Sequence, residues 1–200
     1  MLQSLNGKLA MAKLYFYYAT MNAGKSTMLL QTAYNYQERG MEVLLFKPFI
    51  DKRSDANSIS SRIGLKAQAI SFDGKFNFTD FVKNQSSVNC ILIDEAQFLS
   101  KQHVLQLAEI VDRFGIPVLA FGLRSDFQAE VFEGSRYLLA WADELIEVKA
   151  VCFCGKKATM TARLDDSGKR ILQGEQILIG GNERYIALCR RHFFNFSDDR

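Results

Sequence analysis

An α/β fold, with a mostly parallel sheet flanked by helices and a small C-terminal module of different composition, is what this sequence predicts. Three stretches predict it. In residues 14–30, LYFYYATMNAGKSTMLL, an apolar β-rich run passes through a loop of small residues into a helical pattern. In residues 89–95, NCILIDE, four apolar residues close on two carboxylates. From residue 151 onward long helical patterns give way to Cys, Gly and charged residues. Between the first stretch and the third, short buried runs alternate with amphipathic helices. That order needs crossover connections between parallel strands, with helices on both faces.

Taken in order, residues 1–11 read as a loose tail, and a strand over residues 15–18 leads into Ala19, Thr20, Met21, Asn22, Ala23, Gly24, Lys25 and Ser26. Set against the pattern G-x-x-x-x-G-K-[ST], this segment fits at every position but the first, where Ala stands for Gly. A loop of this kind wraps backbone N–H groups around the phosphates of a nucleotide such as ATP. Its Lys neutralises charge, and the hydroxyl after it holds Mg²⁺. Lys25 is the expected ammonium and Ser26 the expected magnesium ligand, with Thr27 closing the nucleotide-side set. A turn that merely caps a helix could use the same triplet. The strand before it, and the helix carrying Leu29, Leu30, Ala33 and Tyr34 after it, are the context a phosphate loop requires.

Arg39-Gly40 stops that helix, and residues 43–46 form a β-rich apolar run ended by Lys47-Pro48. Residues 51–64, DKRSDANSISSRIG, read as a flexible polar loop with two Arg. A loop after a strand of an open α/β sheet lines the ligand crevice, which makes Asp51 and Arg53 candidates for contacts with phosphate or metal. A short strand near residues 68–71 and a helix over 79–85 lead to NCILIDE. In phosphate-loop enzymes a strand beside the loop ends in an acid that holds Mg²⁺, so Asp94 takes that role and Glu95 faces the reacting group as a base. Gln97 joins the nucleotide-side residues.

Ser100 is placed to N-cap a helix over 100–114, with Val104, Leu107, Ala108 and Val111 on one side. His103 has no partner at helical spacing and reads as a surface residue. Gly115 ends the helix. A strand over 117–122, a helix over 131–141 and a run over 144–148 complete the alternation.

A boundary falls near residue 150. A module of about 45 residues buries too little apolar surface to stand without a staple. Cys152, Cys154, Cys189 and His192 offer one, closing the segment between them around a tetrahedral zinc ion; four free groups are the alternative. Cys90, inside a strand, reads as a small buried hydrophobe.

Composition narrows the partners. With 25 basic against 22 acidic residues, no basic field announces nucleic acid or a membrane, whereas a small anionic ligand needs only local cations. No signal peptide or membrane-length apolar run is visible, so a cytoplasmic protein with reduced cysteines is expected. Two rival readings exist. A GTPase-type switch lacks its Asn-Lys-x-Asp motif. A phosphate-loop ATPase with a nucleic-acid-binding zinc module would use Lys156, Lys157, Arg163, Lys169, Arg170, Arg184, Arg190 and Arg191, but Asp165, Asp166, Glu175 and Glu183 interrupt them.

These motifs, in the order YYATMNAGKST, FKPFIDKR, ILIDEAQF, FGLRSDF, FEGS, CFCGKKA and IGGNERYIALCRRH, resemble the zinc-containing thymidine kinases of bacteria and animals, over residues 12–194. The resemblance implies a P-loop NTPase-like domain over 12–150, a zinc-stapled lasso domain over 151–194 and a tail over 195–200. It implies phosphoryl transfer from ATP, with Mg²⁺, to the 5′-hydroxyl of thymidine and of deoxyuridine. Carried over by motif, Glu95 is the base, Asp94 the magnesium-side acid, and Arg53 a phosphate-neutralising cation. Met21, Phe98, Leu123, Phe127, Phe132 and Tyr185 surround the nucleoside, and Thr161, Ile179 and Gly180 fall where the lasso meets the base. A homotetramer and feedback inhibition by the triphosphate end product are likewise implied. Two positions depart from the family pattern: Ala19 replaces the first loop Gly, and His192 stands where the animal enzymes carry Cys.

Overall fold

The computed structural model describes residues 12–51, 57–176 and 184–195. The chain runs through β1 (Leu14–Ala19), α1 (Lys25–Gln37), β2 (Val43–Pro48), β3 (Ser58–Ser60), β4 (Lys66–Gln68), β5 (Ile70–Phe72), α2 (Phe78–Lys83) and β6 (Cys90–Ile93). A short 3₁₀ turn (Ala96–Phe98), α3 (Lys101–Phe114), β7 (Val118–Leu123), α4 (Glu133–Trp141) and β8 (Glu144–Glu147) follow. The C-terminal part holds β9 (Ala150–Val151), β10 (Lys157–Ala158), β11 (Met160–Leu164), β12 (Arg170–Ile171), β13 (Tyr185–Leu188) and α5 (Arg190–Phe194). No described helix is long and apolar enough to cross a membrane.

Six strands form one sheet in the order β5-β2-β6-β7-β1-β8, and every pairing in it is parallel. Side chains alternate across a strand, so each buried run feeds two cores. Leu14 and Phe16, Leu44 and Phe46, Ile91 and Ile93, and Val118 and Ala120 pack with Phe78 and Val82 of α2, Val104, Leu107 and Ile110 of α3, and Leu138 of α4. Leu45, Cys90, Leu92, Leu119 and Phe121 point the other way, onto Leu29, Leu30 and Ala33 of α1 and Ile59 of β3. Burial on both faces is why these strands read as continuous apolar runs.

Three local readings are corrected. Residues 51–64 are not wholly loop: β3 pairs antiparallel with β4, and Ile59 is 2% exposed because it caps the second core. The helix expected over 131–141 begins at Glu133, since Ser125 bridges Val131 and Asp126 Oδ1 accepts from the amides of Gln128 and Glu130, which keeps that segment a turn. His103 is not a surface residue. It is 2% exposed, with its ring edge-on to Phe72 and Phe78, and burial pushes its pKa down. Its Nδ1 accepts from Ser100 N while Ser100 Oγ accepts from His103 N, a capping box in which His does what Glu or Gln does elsewhere. The N-cap expected at Ser100 is observed.

Beyond β8 the chain builds a separate small core of Cys152, Ala158, Met160, Ala162, Leu188, Cys189 and Phe193. Its strands pair antiparallel, β12-β11-β13 and β10-β9.

Candidate active site

The C-terminal ends of β1, β2 and β6, with the β3 ribbon, open on one cavity of about 500 Å³. Met21, Asn22, Ala23, Gly24, Lys25, Ser26, Thr27, Asp51, Asp94, Glu95 and Leu123, all singled out in the sequence, line it. β6 is not the immediate neighbour of β1, because β7 lies between them. Asp94 nonetheless reaches the phosphate loop: Ser26 Oγ donates to its Oδ2 at 3.0 Å and to its Oδ1 at 3.3 Å.

The loop has the conformation its residues require. Gly24, the N-cap of α1, lies at φ 86°, where a side chain is disfavoured, and has no side chain to satisfy the first amides of the helix. Those amides, with the positive end of the helix, make an anion seat. Lys25 is 7% exposed, and its ammonium donates to Thr20 O at 3.1 Å, so the cation is folded back over the loop. Asn22 lies at φ 65°, and its side chain links three parts of the chain. Its Oδ1 accepts from Arg62 at 2.5 Å, and its Nδ2 donates to Tyr185 O at 3.2 Å. Next to it, Met21 N donates to Thr161 Oγ1 at 3.1 Å.

Glu95 closes β6 in the left-handed conformation, φ 50° and ψ 42°, rare for a residue with a long side chain. Its amide donates to Asp94 Oδ1 at 3.0 Å. Gln97 is 2% exposed and absent from the cavity lining. It lies behind Glu95, donating from Nε2 to Glu95 Oε2 and accepting at Oε1 from Leu123 N, the latter at 2.9 Å.

The apolar set expected around a nucleoside is only partly gathered on this cavity. Met21 and Leu123 line it, and Phe98 meets Phe132 edge-on at 6.0 Å. Phe127 is covered by the Arg163 guanidinium at 3.6 Å, while Thr161 and Tyr185 contact the phosphate loop from the C-terminal side. Arg53, Ile179 and Gly180 lie outside the described residues. Sequence reading missed Ile59, Ser60, Ser61, Arg62 and Ile63, which the β3 ribbon brings to the cavity wall. The Ser58-Ile59-Ser60 alternation was the available signal.

Away from this cavity, the ligand atoms of Cys152, Cys154, Cys189 and His192 lie within 4.8 Å of one another. His192 Nδ1 is 3.4 Å from Cys152 Sγ and 3.5 Å from Cys189 Sγ, and the Cys154 and Cys189 sulfurs are 3.9 Å apart. A tetrahedral ion with Zn–S near 2.3 Å and Zn–N near 2.0 Å separates its ligands by roughly 3.5–3.8 Å, so the cluster fits zinc. Burial pushes the Cys152 thiol up, but hydrogen bonds from the Cys154 and Cys189 backbone and from His192 outweigh it and bring it down to about 6. That favours the thiolate a metal takes.

Comparison with known proteins agrees with this set of parts. A family profile described as thymidine kinase matches residues 12–193. The chain belongs to the thymidine kinase family. It is 61% identical over 186 residues to the thymidine kinase of Zymomonas mobilis (92% of this chain, 96% of the relative). It is 58% identical over 187 residues to that of Legionella pneumophila strain Lens (92% and 90%) and 53% over 186 residues to that of Escherichia coli K12 (92% and 91%).

Within the thymidine kinase family the two departures have local explanations. Ala19 is the last residue of β1, paired with Leu123 and not at positive φ, so its position does not demand Gly. His192 sits within ligand distance of two sulfurs with its ring stacked on Phe153 at 4.4 Å, so a nitrogen replaces a fourth sulfur without disturbing the cluster. A kinase of this family needs ATP and a divalent metal, and the phosphate loop with Asp94 is where the cavity concentrates the groups for both.

Proposed function

We propose that this protein transfers the γ-phosphoryl group of ATP to the 5′-hydroxyl of thymidine, and of deoxyuridine more slowly, in pyrimidine deoxynucleotide salvage. The observation that carries the reading is one cavity walled by both Lys25 and Ser26 of the phosphate loop and Asp94 and Glu95 of the acidic turn. Family membership supports the substrate. The reading of an ATPase with a nucleic-acid-binding zinc module is not favoured.

The cavity lining and the family resemblance support the following roles. Ser26 and Asp94 would hold Mg²⁺, which when bound neutralises charge on the phosphates. Lys25 and Arg53 stabilise the charge that grows on the transferred group, and Arg62 at the cavity wall adds a guanidinium to that field. Glu95 orients the nucleoside hydroxyl and accepts its proton late in a loose transition state. Met21, Leu123, Phe98, Phe127, Phe132, Thr161 and Tyr185, with Ile179 and Gly180, hold the nucleoside so that hydroxyl and phosphorus are in line. Residues 12–150 form the nucleotide-binding domain and 151–194 a lasso that zinc staples. The resemblance supports a cytoplasmic homotetramer.

Transfer of labelled γ-phosphate to a panel of thymidine, deoxyuridine, deoxycytidine and deoxyguanosine tests the reading. Label on thymidine, less on deoxyuridine and none on the others supports it; hydrolysis of ATP with no labelled nucleoside overturns it. In the same assay Arg62→Ala is expected to raise KM for ATP about five- to tenfold, the loss of roughly 1 kcal/mol that one partly exposed charge contact contributes, with kcat changed less. Unchanged KM for ATP would remove Arg62 from the phosphate field. Removing zinc with a chelator should raise KM for thymidine before the parallel sheet melts. Coincident loss of activity and of sheet structure, followed by circular dichroism, would argue against a separable lasso.

A further inference from the structure

Gln97 lies outside the cavity, yet both ends of its amide are committed. Leu123 N can only donate, so the oxygen of the amide must face it, and the nitrogen is thereby turned onto Glu95 Oε2. The carboxylate is held by a donor whose own direction is fixed by the end of β7. Two close backbone approaches keep that geometry rigid. A Cβ at Gly122 would stand 2.9 Å from Gln97 N and 3.0 Å from Gln97 Oε1. A Cβ at Gly134 would stand 2.5 Å from Ala96 O and 2.9 Å from Gln97 O. The 3₁₀ turn is therefore pressed between β7 and the first turn of α4, and Ser135 Oγ, which is wholly buried, donates to the carbonyl of the same Leu123.

We infer that Gln97 is a positioning residue that aims the Glu95 carboxylate, rather than a contact for nucleotide. This rests on the reading of Glu95 as the base. A donor fixed at one carboxylate oxygen leaves the other oxygen with a single orientation toward the cavity. Leu123 is part of the cavity wall, so the same amide registers the carboxylate against the surface on which the substrate lies.

The test exchanges the donor while keeping the bond to Leu123. In Gln97→Glu a carboxylate oxygen still accepts from Leu123 N, but the amide that donates to Glu95 Oε2 is replaced by a second carboxyl group, so the contact that aims Glu95 is lost. The expected result is a kcat at least tenfold lower at neutral pH, with KM for ATP and thymidine within about threefold of the parent. A parent-like kcat, or a loss confined to KM for ATP, would overturn the inference, the second outcome returning Gln97 to the nucleotide. The exchanged pair Glu95→Gln with Gln97→Glu guards against a folding artefact. It restores a donor and an acceptor, so its melting temperature should return toward the parent while turnover stays lost. Recovery of turnover would overturn the inference. Glu95→Gln alone separates the two claims. If it is active, the base assignment fails; if it is inactive while Gln97→Glu behaves as the parent does, only the positioning role fails.

Discussion

Replacing Glu95 by Gln is expected to lower kcat by a factor on the order of 10² or more, with KM for thymidine nearly unchanged. Gln is close in shape to Glu and can still meet the Gln97 amide through its oxygen, so the left-handed turn has no reason to rearrange. What disappears is a group that accepts the hydroxyl proton as the new bond forms. Positioning, the phosphate loop and the cations all remain, which is why activity should fall without vanishing. Steady-state kinetics with thymidine and ATP varied separately decide the matter. Turnover within a few-fold of the parent would mean that another group takes the proton.

The second large effect should come from a residue with no chemistry of its own. Gly134 opens α4, where helix propensity alone would favour Ala by up to about 1 kcal/mol. Three carbonyl oxygens, of Ala96, Gln97 and Leu99, lie 2.5–2.9 Å from where its Cβ would stand, and all are backbone. No flexible side chain can yield there, so sterics win. Gly134→Ala should destabilise the protein by about 1–3 kcal/mol, as overpacked cores do. For a chain of this size that is a fall in melting temperature of roughly 3–10 °C. Since the displaced segment is the turn behind Glu95, turnover should fall along with stability. Gly74→Ala is the control, because a Cβ there meets nothing within 4 Å and its φ is ordinary. A thermal melt in which the two variants coincide would show that α4 can simply shift outward.

The parts of the site that were legible in the sequence are those whose chemistry is contiguous. The phosphate loop needs residues 19–26 in a row, and the acidic turn needs an apolar strand ending in Asp94-Glu95. The Cys/His set could be read because so few residue types hold a metal. What escaped depends on partners far along the chain. β3 is a strand only because β4 lies opposite, and a three-residue alternation around one buried apolar side chain, Ile59, is a faint signal. Arg62 followed the same ribbon out of view. The insertion of β7 between β1 and β6 is a matter of strand order, which alternation of elements does not specify. Gln97 illustrates a further limit: its place in the sequence suggests a nucleotide contact, whereas its bonds to Glu95 and to Leu123 N, far along the chain, appear only once β7 is folded beside it. His103 was within reach, since Ser-x-x-His has the spacing of a capping box with an unusual fourth member.

The bonds from Met21 N to Thr161 and from Asn22 Nδ2 to Tyr185 O join the phosphate loop to β11 and β13, the strands of the segment proposed to cover the acceptor. Anything that reorganises the loop on nucleotide binding must shift those two contacts, and anything that draws β11 and β13 onto a nucleoside must pull on the loop. On the proposed roles, these two contacts would give the substrates a shared free energy of coupling. By thermodynamic reciprocity, whatever factor ATP exerts on the dissociation constant of thymidine, thymidine exerts on that of ATP.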